Sequence, residues 1–120
     1  QVTPNLLRIA LGGAGMADFP EDQTSAYVKL RLPDAASERE VVRTYTVRSQ
    51  RPGEIDVDFA LHEDFGPATL WALNAGIGDT VMVGGPGPRK LVHADADWFL
   101  LVGDMTALPA ISGNLEMLPD

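Results

Sequence analysis

The stretch EIDVDFALH, residues 54–62, carries the clearest periodic pattern in this 120-residue chain. Ile55, Val57 and Phe59 alternate with Asp56 and Asp58, and a period of two places alternate side chains on opposite faces of a β-strand. The sequence RPG just before this stretch predicts a turn. The stretch therefore predicts a strand with one apolar and one polar face.

The same alternation recurs on both sides of this strand. It predicts further strands at residues 7–11, 27–32, 41–48 and 80–83. One helix, at about Pro67 to Asn74, interrupts the strands, and Pro67 fits its first turn because a missing N–H costs nothing there. Several short strands at this spacing favour a mainly β fold, a small antiparallel Greek-key barrel with one inserted helix.

The pattern of apolar residues changes near residue 94. WFLLV, residues 98–102, is a continuous apolar run typical of a strand buried on both faces of a parallel sheet. A glycine turn at residues 103–106 follows, and then apolar residues at helical spacing from Leu108 onward. A strand, a turn and a helix in this order are the first elements of an α/β nucleotide-binding unit. We expect a barrel domain at 1–93 and, at 94–120, a truncated second domain without its returning strand.

Composition excludes several classes of function. Acidic residues outnumber basic ones by 17 to 9, and the net charge of −8 disfavours nucleic acid and anionic membrane surfaces as partners. The chain has no cysteine and only two histidines, His62 and His93, far apart in sequence, so no metal site is predicted. No apolar run reaches the length of a membrane span, which predicts a cytoplasmic protein without membrane insertion. Any redox chemistry must come from an organic cofactor.

Two segments have the chemistry of a cofactor site. Arg43 and Tyr45 lie two residues apart in a predicted strand and so share a face, which suits a ligand with a phosphate and a flat ring. Gly66 precedes a helix start, where free N–H groups form a cradle for pyrophosphate, and Thr69 adds a hydroxyl. Taken alone, the first pattern also fits ordinary side chains on the surface of a barrel. The second pattern also fits an ordinary loop before a helix.

A third segment, GDMTALPA at residues 103–110, repeats the glycine turn before a helix. It is equally compatible with a plain βα turn. The three segments together, in this order, are far more specific than any one of them, and the chain resembles the siderophore-interacting protein family of ferric-siderophore reductases over nearly its whole length. The resemblance is carried by RTYTVR at 43–48, DVDFALH at 56–62, GPATLWA at 66–72 and GDMTALPA at 103–110.

This resemblance implies an FAD cofactor. Arg43 would bind its phosphate, Tyr45 would pack against the isoalloxazine, and Thr46 would hydrogen-bond near the reactive edge. The residues implied to bind FAD are Arg43, Tyr45, Thr46, Val47, His62, Gly66, Pro67, Ala68, Thr69, Asp104, Thr106 and Ala107. Met105 stands where relatives usually carry glutamate, so the role of that acid is not carried over to this chain.

The resemblance also implies an activity, the reduction of a ferric siderophore to release Fe(II). Electrons would come from NAD(P)H or a ferredoxin through FAD, and no side chain need act as acid or base. The alternatives are a general NAD(P)H-flavin reductase of the ferredoxin-reductase superfamily and a ligand-binding barrel without a redox role. The 120-residue segment alone is expected to be inactive as a reductase.

Overall fold

The computed structural model describes residues 1–34 and 36–119. Its strands are β1 (Leu6–Gly12), β2 (Tyr27–Asp34), β3 (Arg39–Arg51), β4 (Glu54–Ala60) and β5 (Met82–Gly84). Its α-helices are α1 (Pro67–Asn74) and α2 (Leu108–Met117), and a short 3-10 helix covers Ala14–Met16. The predicted strands at 7–11, 27–32 and 41–48 and the helix at Pro67 to Asn74 are thus confirmed. The strand predicted at 54–62 forms but ends at Ala60, and β5 is shorter and later than predicted.

All strand pairs of the sheet are antiparallel, in the order β1-β4-β3-β2-β5. Strands β2, β3 and β4 follow one another through short connections, and β1 lies beside β4 after the long connection between β1 and β2. This arrangement is a Greek key, as the sequence predicts. Among the described residues β1 and β5 do not pair, so the sheet is open, and closure into a barrel stays a prediction.

The core lies on one face of this sheet. Its most deeply buried members are alternate residues of β2, β3 and β4, each with no measurable exposure: Val28, Leu30, Leu32, Val47, Ile55, Val57 and Phe59. Helix α1 covers this face through Ala68 and Ala72, which are also buried. Burial of each large apolar side chain contributes roughly 1.5–3 kcal/mol, so this layer is the main source of the stability of the fold.

The polar face of β4 is also buried. Arg8 of β1 donates two hydrogen bonds to Asp58, at 2.7 and 2.9 Å. Arg51 donates two to Asp56, both at 2.8 Å, and the hydroxyl of Ser49 adds a third at 2.6 Å. These partners satisfy both carboxylates, which is why they can lie in a strand that is covered on both sides.

The prediction of a buried strand at 98–102 is wrong. These residues form no strand, and Trp98, Leu100 and Val102 expose 76%, 74% and 82% of their surface. A parallel strand needs neighbours for its N–H and C=O groups, and none of the described residues supplies one. The helix predicted after this run is present as α2.

Helix α2 is docked onto the sheet and does not stand apart from it. The amide of Asn114 accepts a hydrogen bond from the N–H of Val92 at 2.8 Å and donates one to the carbonyl of Lys90 at 2.8 Å. A Cβ on Gly113 would lie 2.5 Å from the hydroxyl of Ser25, so only glycine permits this approach. Among the described residues, no helix is long and apolar enough to cross a membrane.

Candidate functional site

Arg43 and Tyr45 share the core-side face of β3, as the strand period predicts. Arg43 lies opposite Leu30 of β2 and Tyr45 opposite Val28, and both partners are fully buried. Residues directly opposite in an antiparallel pair project to the same side. Arg43 is exposed, and one of its Nη atoms donates to the neighbouring carbonyl of Val42 at 3.0 Å. Within the described part of the chain its guanidinium forms no ion pair, which leaves it available for an anionic ligand.

The ring of Tyr45 stands at the edge of an aromatic cluster. Its centroid lies 4.6 Å from that of Phe59, which in turn lies 5.9 Å from Trp71. Tyr45 is half-buried, and burial raises the pKa of its phenol, while the positive charge of Arg43 acts in the opposite direction. The phenol therefore stays neutral at physiological pH. One side of the ring is fixed by the cluster, and the remainder faces solvent.

Thr46 and Val47 complete the segment but differ in placement. Thr46 lies opposite Tyr27, on the sheet face away from Tyr45. Val47 is buried in the core, its N–H donates to Ala26 and its carbonyl accepts from Ser25, both at 2.9 Å. The structure therefore brings Arg43 and Tyr45 together on one face and places Thr46 on the other. Roles of Thr46 and Val47 toward a ligand stay predictions.

Gly66 is the residue just before α1, and its backbone is extended, with φ −80° and ψ 177°. A Cβ built on it meets no atom within 4 Å, so nothing in the described fold requires glycine there. The first N–H groups of a helix have no partner within the helix, and after Pro67 these belong to Ala68 and Thr69. Such groups bind phosphate well.

The side chains of this turn point away from solvent. Ala68 and Thr69 are buried, and the hydroxyl of Thr69 lies 3.5 Å from the carbonyl of Ala60 in β4. Any contact of these two residues with a ligand would therefore use backbone N–H groups. His62 is exposed in the loop after β4, followed by the exposed Glu63 and Asp64.

The turn before α2 is held by its own side chains. The carboxylate of Asp104 accepts hydrogen bonds from the N–H and the hydroxyl of Thr106, at 2.9 and 2.5 Å. These bonds hold the pKa of Asp104 below its ordinary value. The N–H of Ala107 donates to the backbone carbonyl of Asp104 at 3.1 Å. A Cβ on Gly103 would lie 2.5 Å from that of Ala107, which explains the glycine.

Residues 35–90 match the sequence model of the siderophore-interacting FAD-binding domain. Ferric vibriobactin reductase ViuB of Vibrio cholerae is 36% identical over 98% of this chain and 51% of its own length. The siderophore-interacting protein SipS of Aeromonas hydrophila has 36% identity and a TM-score of 0.77, covering 97% of this chain and 49% of that one. The chain is therefore similar to siderophore-interacting proteins over nearly its whole length, and residues 35–90 match their FAD-binding domain.

A second solved structure, the siderophore-interacting protein of Acinetobacter baumannii, superposes with a TM-score of 0.82 at 26% identity, over 98% of this chain and 49% of that one. The chain thus spans about half the length of these relatives. The segment matched by the family model contains Arg43, Tyr45 and Gly66 but not Asp104 or Thr106. The match to the family model therefore supports the predicted cofactor-site segments at 43–48 and 66–72 more directly than the segment at 103–110.

A cavity beside α1 was not predicted from the sequence. It encloses about 530 Å³ between the β2–β3 hairpin and α1, and its lining includes Pro67 and Trp71. A second cavity, of about 460 Å³, lies toward the other end of β3 and is lined by residues such as Arg51 and Phe19. Cavities form between segments distant in sequence, and no local pattern marks them.

Proposed function

We propose that this chain binds FAD in an extended form across the core-side face of β3 and the start of α1. The observation that carries the proposal is the joint placement on one strand face of Arg43, whose guanidinium forms no ion pair with the described residues, and Tyr45, with a half-exposed ring. Arginine binds phosphate through two parallel hydrogen bonds, and an aromatic ring packs on a flat cofactor. The open backbone at Gly66 adds N–H donors for the second phosphate.

Each residue has a defined task in this proposal. Arg43 neutralises and orients the pyrophosphate, and the α1 N–H groups hold it from the other side. Tyr45, fixed by Phe59, sets the plane of the isoalloxazine and keeps water from one of its faces. When bound, FAD supplies hydride acceptance and one-electron transfer. No side chain of this chain need exchange a proton with the substrate.

For the longer proteins of this family we propose reduction of a ferric siderophore, with release of Fe(II), as the activity that this domain serves. The name of the Vibrio cholerae relative, a ferric vibriobactin reductase, supports this proposal. NAD(P)H or a ferredoxin would be the electron donor, and the cytoplasm the location. In the same scheme residues 1–93 form the flavin-binding unit, and residues 94–120 begin a nucleotide-binding unit.

The first test is flavin binding by the purified chain. Added FAD should bind with quenching of its fluorescence, remain through gel filtration and be released on heating. Protein that stays colourless after incubation with FAD would favour the ligand-binding barrel and overturn the proposal.

The second test separates cofactor binding from turnover. The 120-residue chain is expected to bind FAD but to show no NAD(P)H-dependent release of Fe(II) from a ferric siderophore, because residues 98–102 are exposed and pair with no strand. Hydride transfer requires the nicotinamide to be held against the flavin in a fixed geometry. Turnover matching that of a longer family member such as ViuB would contradict this division. Turnover with free flavin as acceptor but none with ferric siderophores would favour a general flavin reductase.

A further inference from the structure

The second cavity, of about 460 Å³, lies toward the end of β3 away from the proposed pyrophosphate site. Gln50 and Arg51, which end β3, contribute to its lining. At about 3.3 Å per residue, Gln50 lies about 17 Å from Tyr45 along the strand, in the direction opposite to Arg43. A molecule bound in this cavity would therefore lie apart from a flavin that extends from Tyr45 to Arg43.

The loop that forms one wall of the cavity is held in place by side chains. The amide of Gln50 accepts a hydrogen bond from the N–H of Gln23 at 2.7 Å and donates one to the carbonyl of Pro20 at 2.8 Å. The side-chain amide of Gln23 in turn donates to the carbonyl of Glu21 at 2.8 Å. The cavity is therefore largely preformed, and its volume lies within the range of small-molecule sites, about 300–1,000 Å³.

The inner wall of the cavity is apolar. Met16 is only 9% exposed, and Phe19 packs against the hydrophobic core, so the core fixes both side chains. Pro52 adds a third apolar side chain to the lining. A thioether and an aromatic ring suit the apolar body of a ligand, and an aromatic ring also attracts a cation over its face.

The outer wall is negatively charged. Glu21 and Asp22 are exposed, and neither carboxylate forms an ion pair with another described residue. Arg51, the one cation among the described lining residues, is bound to the carboxylates of Glu54 and Asp56 at 2.6–2.8 Å, so its charge is already balanced. This wall therefore repels a phosphate or carboxylate ligand and favours an ammonium or guanidinium group.

We propose that this cavity is a binding site for a small organic cation, an ammonium or guanidinium group on a compact apolar body. The cation binds between the carboxylates of Glu21 and Asp22, and the apolar body lies against Met16 and Phe19. FAD carries two phosphates and does not meet these conditions. The site is therefore separate from the proposed flavin site and does not depend on it.

The experiment titrates phenethylammonium, phenethyl alcohol and phenylacetate into the isotopically labelled chain and follows the backbone amides by NMR. The three probes share one aromatic body and differ in charge. The charge variant is Glu21→Gln with Asp22→Asn, since asparagine also adopts the left-handed backbone of Asp22, whose φ is 56°. The matched control is Glu63→Gln with Asp64→Asn, which removes the same two charges from another exposed segment.

A second pair of variants tests the cavity without changing its charge. Ala17→Trp places a large ring in the lining, whereas Ala14→Trp makes the same change nearby, at the start of the 3-10 helix and outside the lining. Both alanines are exposed, so the fold should tolerate both changes, which thermal unfolding checks.

Phenethylammonium should shift the amides of the lining saturably, with an affinity at least about tenfold above that of phenethyl alcohol, and phenylacetate should not bind. The charge variant and Ala17→Trp should each lower this affinity about tenfold or more, and their controls should not. Saturating FAD should leave it unchanged.

Three results would overturn the proposal: no saturable shift, equal affinities for the charged and uncharged probes, or equal losses in the variants and their controls. Displacement of phenethylammonium by FAD would also overturn it, because the two sites would then be one. Failure of the chain to bind FAD, with phenethylammonium binding as expected, would refute the proposed function and leave this site intact.

Discussion

The guanidinium of Arg48 in β3 binds the carboxylate of Glu116 near the end of α2 through two hydrogen bonds, of 2.7 and 3.0 Å. Arg48 is largely buried, with 16% of its side chain exposed, but Glu116 exposes 58%. Asn114, two residues before Glu116 in α2, is buried and bonds the backbone on both sides of Leu91. Helix α2 is therefore joined to β3 by one exposed ion pair and to the segment at residues 90–92 by one buried amide.

These two contacts should differ in their contribution to stability. Asn114→Ala leaves the part-buried N–H of Val92 and carbonyl of Lys90 without their side-chain partner and should lower the free energy of unfolding by about 1–3 kcal/mol. Glu116→Gln should cost at most about 1 kcal/mol, because exposed ion pairs contribute little. Urea denaturation of the two variants beside the wild type measures both values. A larger loss for Glu116→Gln than for Asn114→Ala would show that the ion pair holds the helix.

Arg43→Ala should weaken FAD binding by about tenfold to a hundredfold, since a charged hydrogen-bonded contact contributes about 1.5–3 kcal/mol. The matched control is Arg31→Ala, which removes an exposed arginine of β2. Arg31 lies opposite Val42 of β3, so its side chain projects from the sheet face opposite to that of Arg43. Fluorescence titration with FAD compares the two. Equal affinities for Arg43→Ala and the wild type would show that the phosphate lies elsewhere.

Gly66→Val should abolish tight FAD binding without lowering the melting temperature. The backbone at Gly66 is in a region open to any residue, and a Cβ there contacts nothing within 4 Å, so only a ligand would meet the new side chain. Gly76→Val is the control, because a Cβ at Gly76 also meets open space. For both variants, the melting temperature is measured by circular dichroism and the affinity for FAD by titration. If Gly66→Val unfolds the protein while its folded fraction still binds FAD, the glycine is structural.

Much of the fold follows from local pattern. The period of two in β4 and the proline at the start of α1 are properties of neighbouring residues, and both elements form where predicted. Burial of Asp56 and Asp58 could not be predicted, because it depends on Arg8 and Arg51 reaching them across the sheet. Residues 98–102 mislead for the same reason: an apolar run becomes a strand only when other strands pair with it.

The features of the candidate site also divide into those that follow from local sequence pattern and those that depend on tertiary contacts. That Arg43 and Tyr45 share a face follows from strand period alone, and the register confirms it. Three further features depend on tertiary contacts: the ring of Phe59 against Tyr45, the cavity beside α1, and the hydroxyl of Thr69 turned toward β4. The sequence pattern predicts which side chains share a face. It does not predict which atoms of those residues are free to contact a ligand.

Acid should destabilise this fold partly through Asp56. Hydrogen bonds from Arg51, and then from Ser49, lower the pKa of Asp56 to about 2 from an ordinary value of 3.8, against the opposing effect of burial. A folded-state pKa below the unfolded one means that the stabilisation is present above about pH 4 and is lost as pH falls toward 2. Because Arg51 is partly exposed, we expect this contribution to be about 1–2 kcal/mol.

The test is the free energy of unfolding of the wild type and of Asp56→Asn in urea at pH 7, 4, 3 and 2. Asp56→Asn should be less stable by about 1–2 kcal/mol at pH 7, and the gap should close between pH 4 and 2, since protonation removes the same charge from the wild type. Ser49→Ala, which removes one of the three hydrogen bonds to this carboxylate, should fall between the two at pH 7. A gap that stays constant down to pH 2 would mean that Asp56 contributes by packing and not by charge.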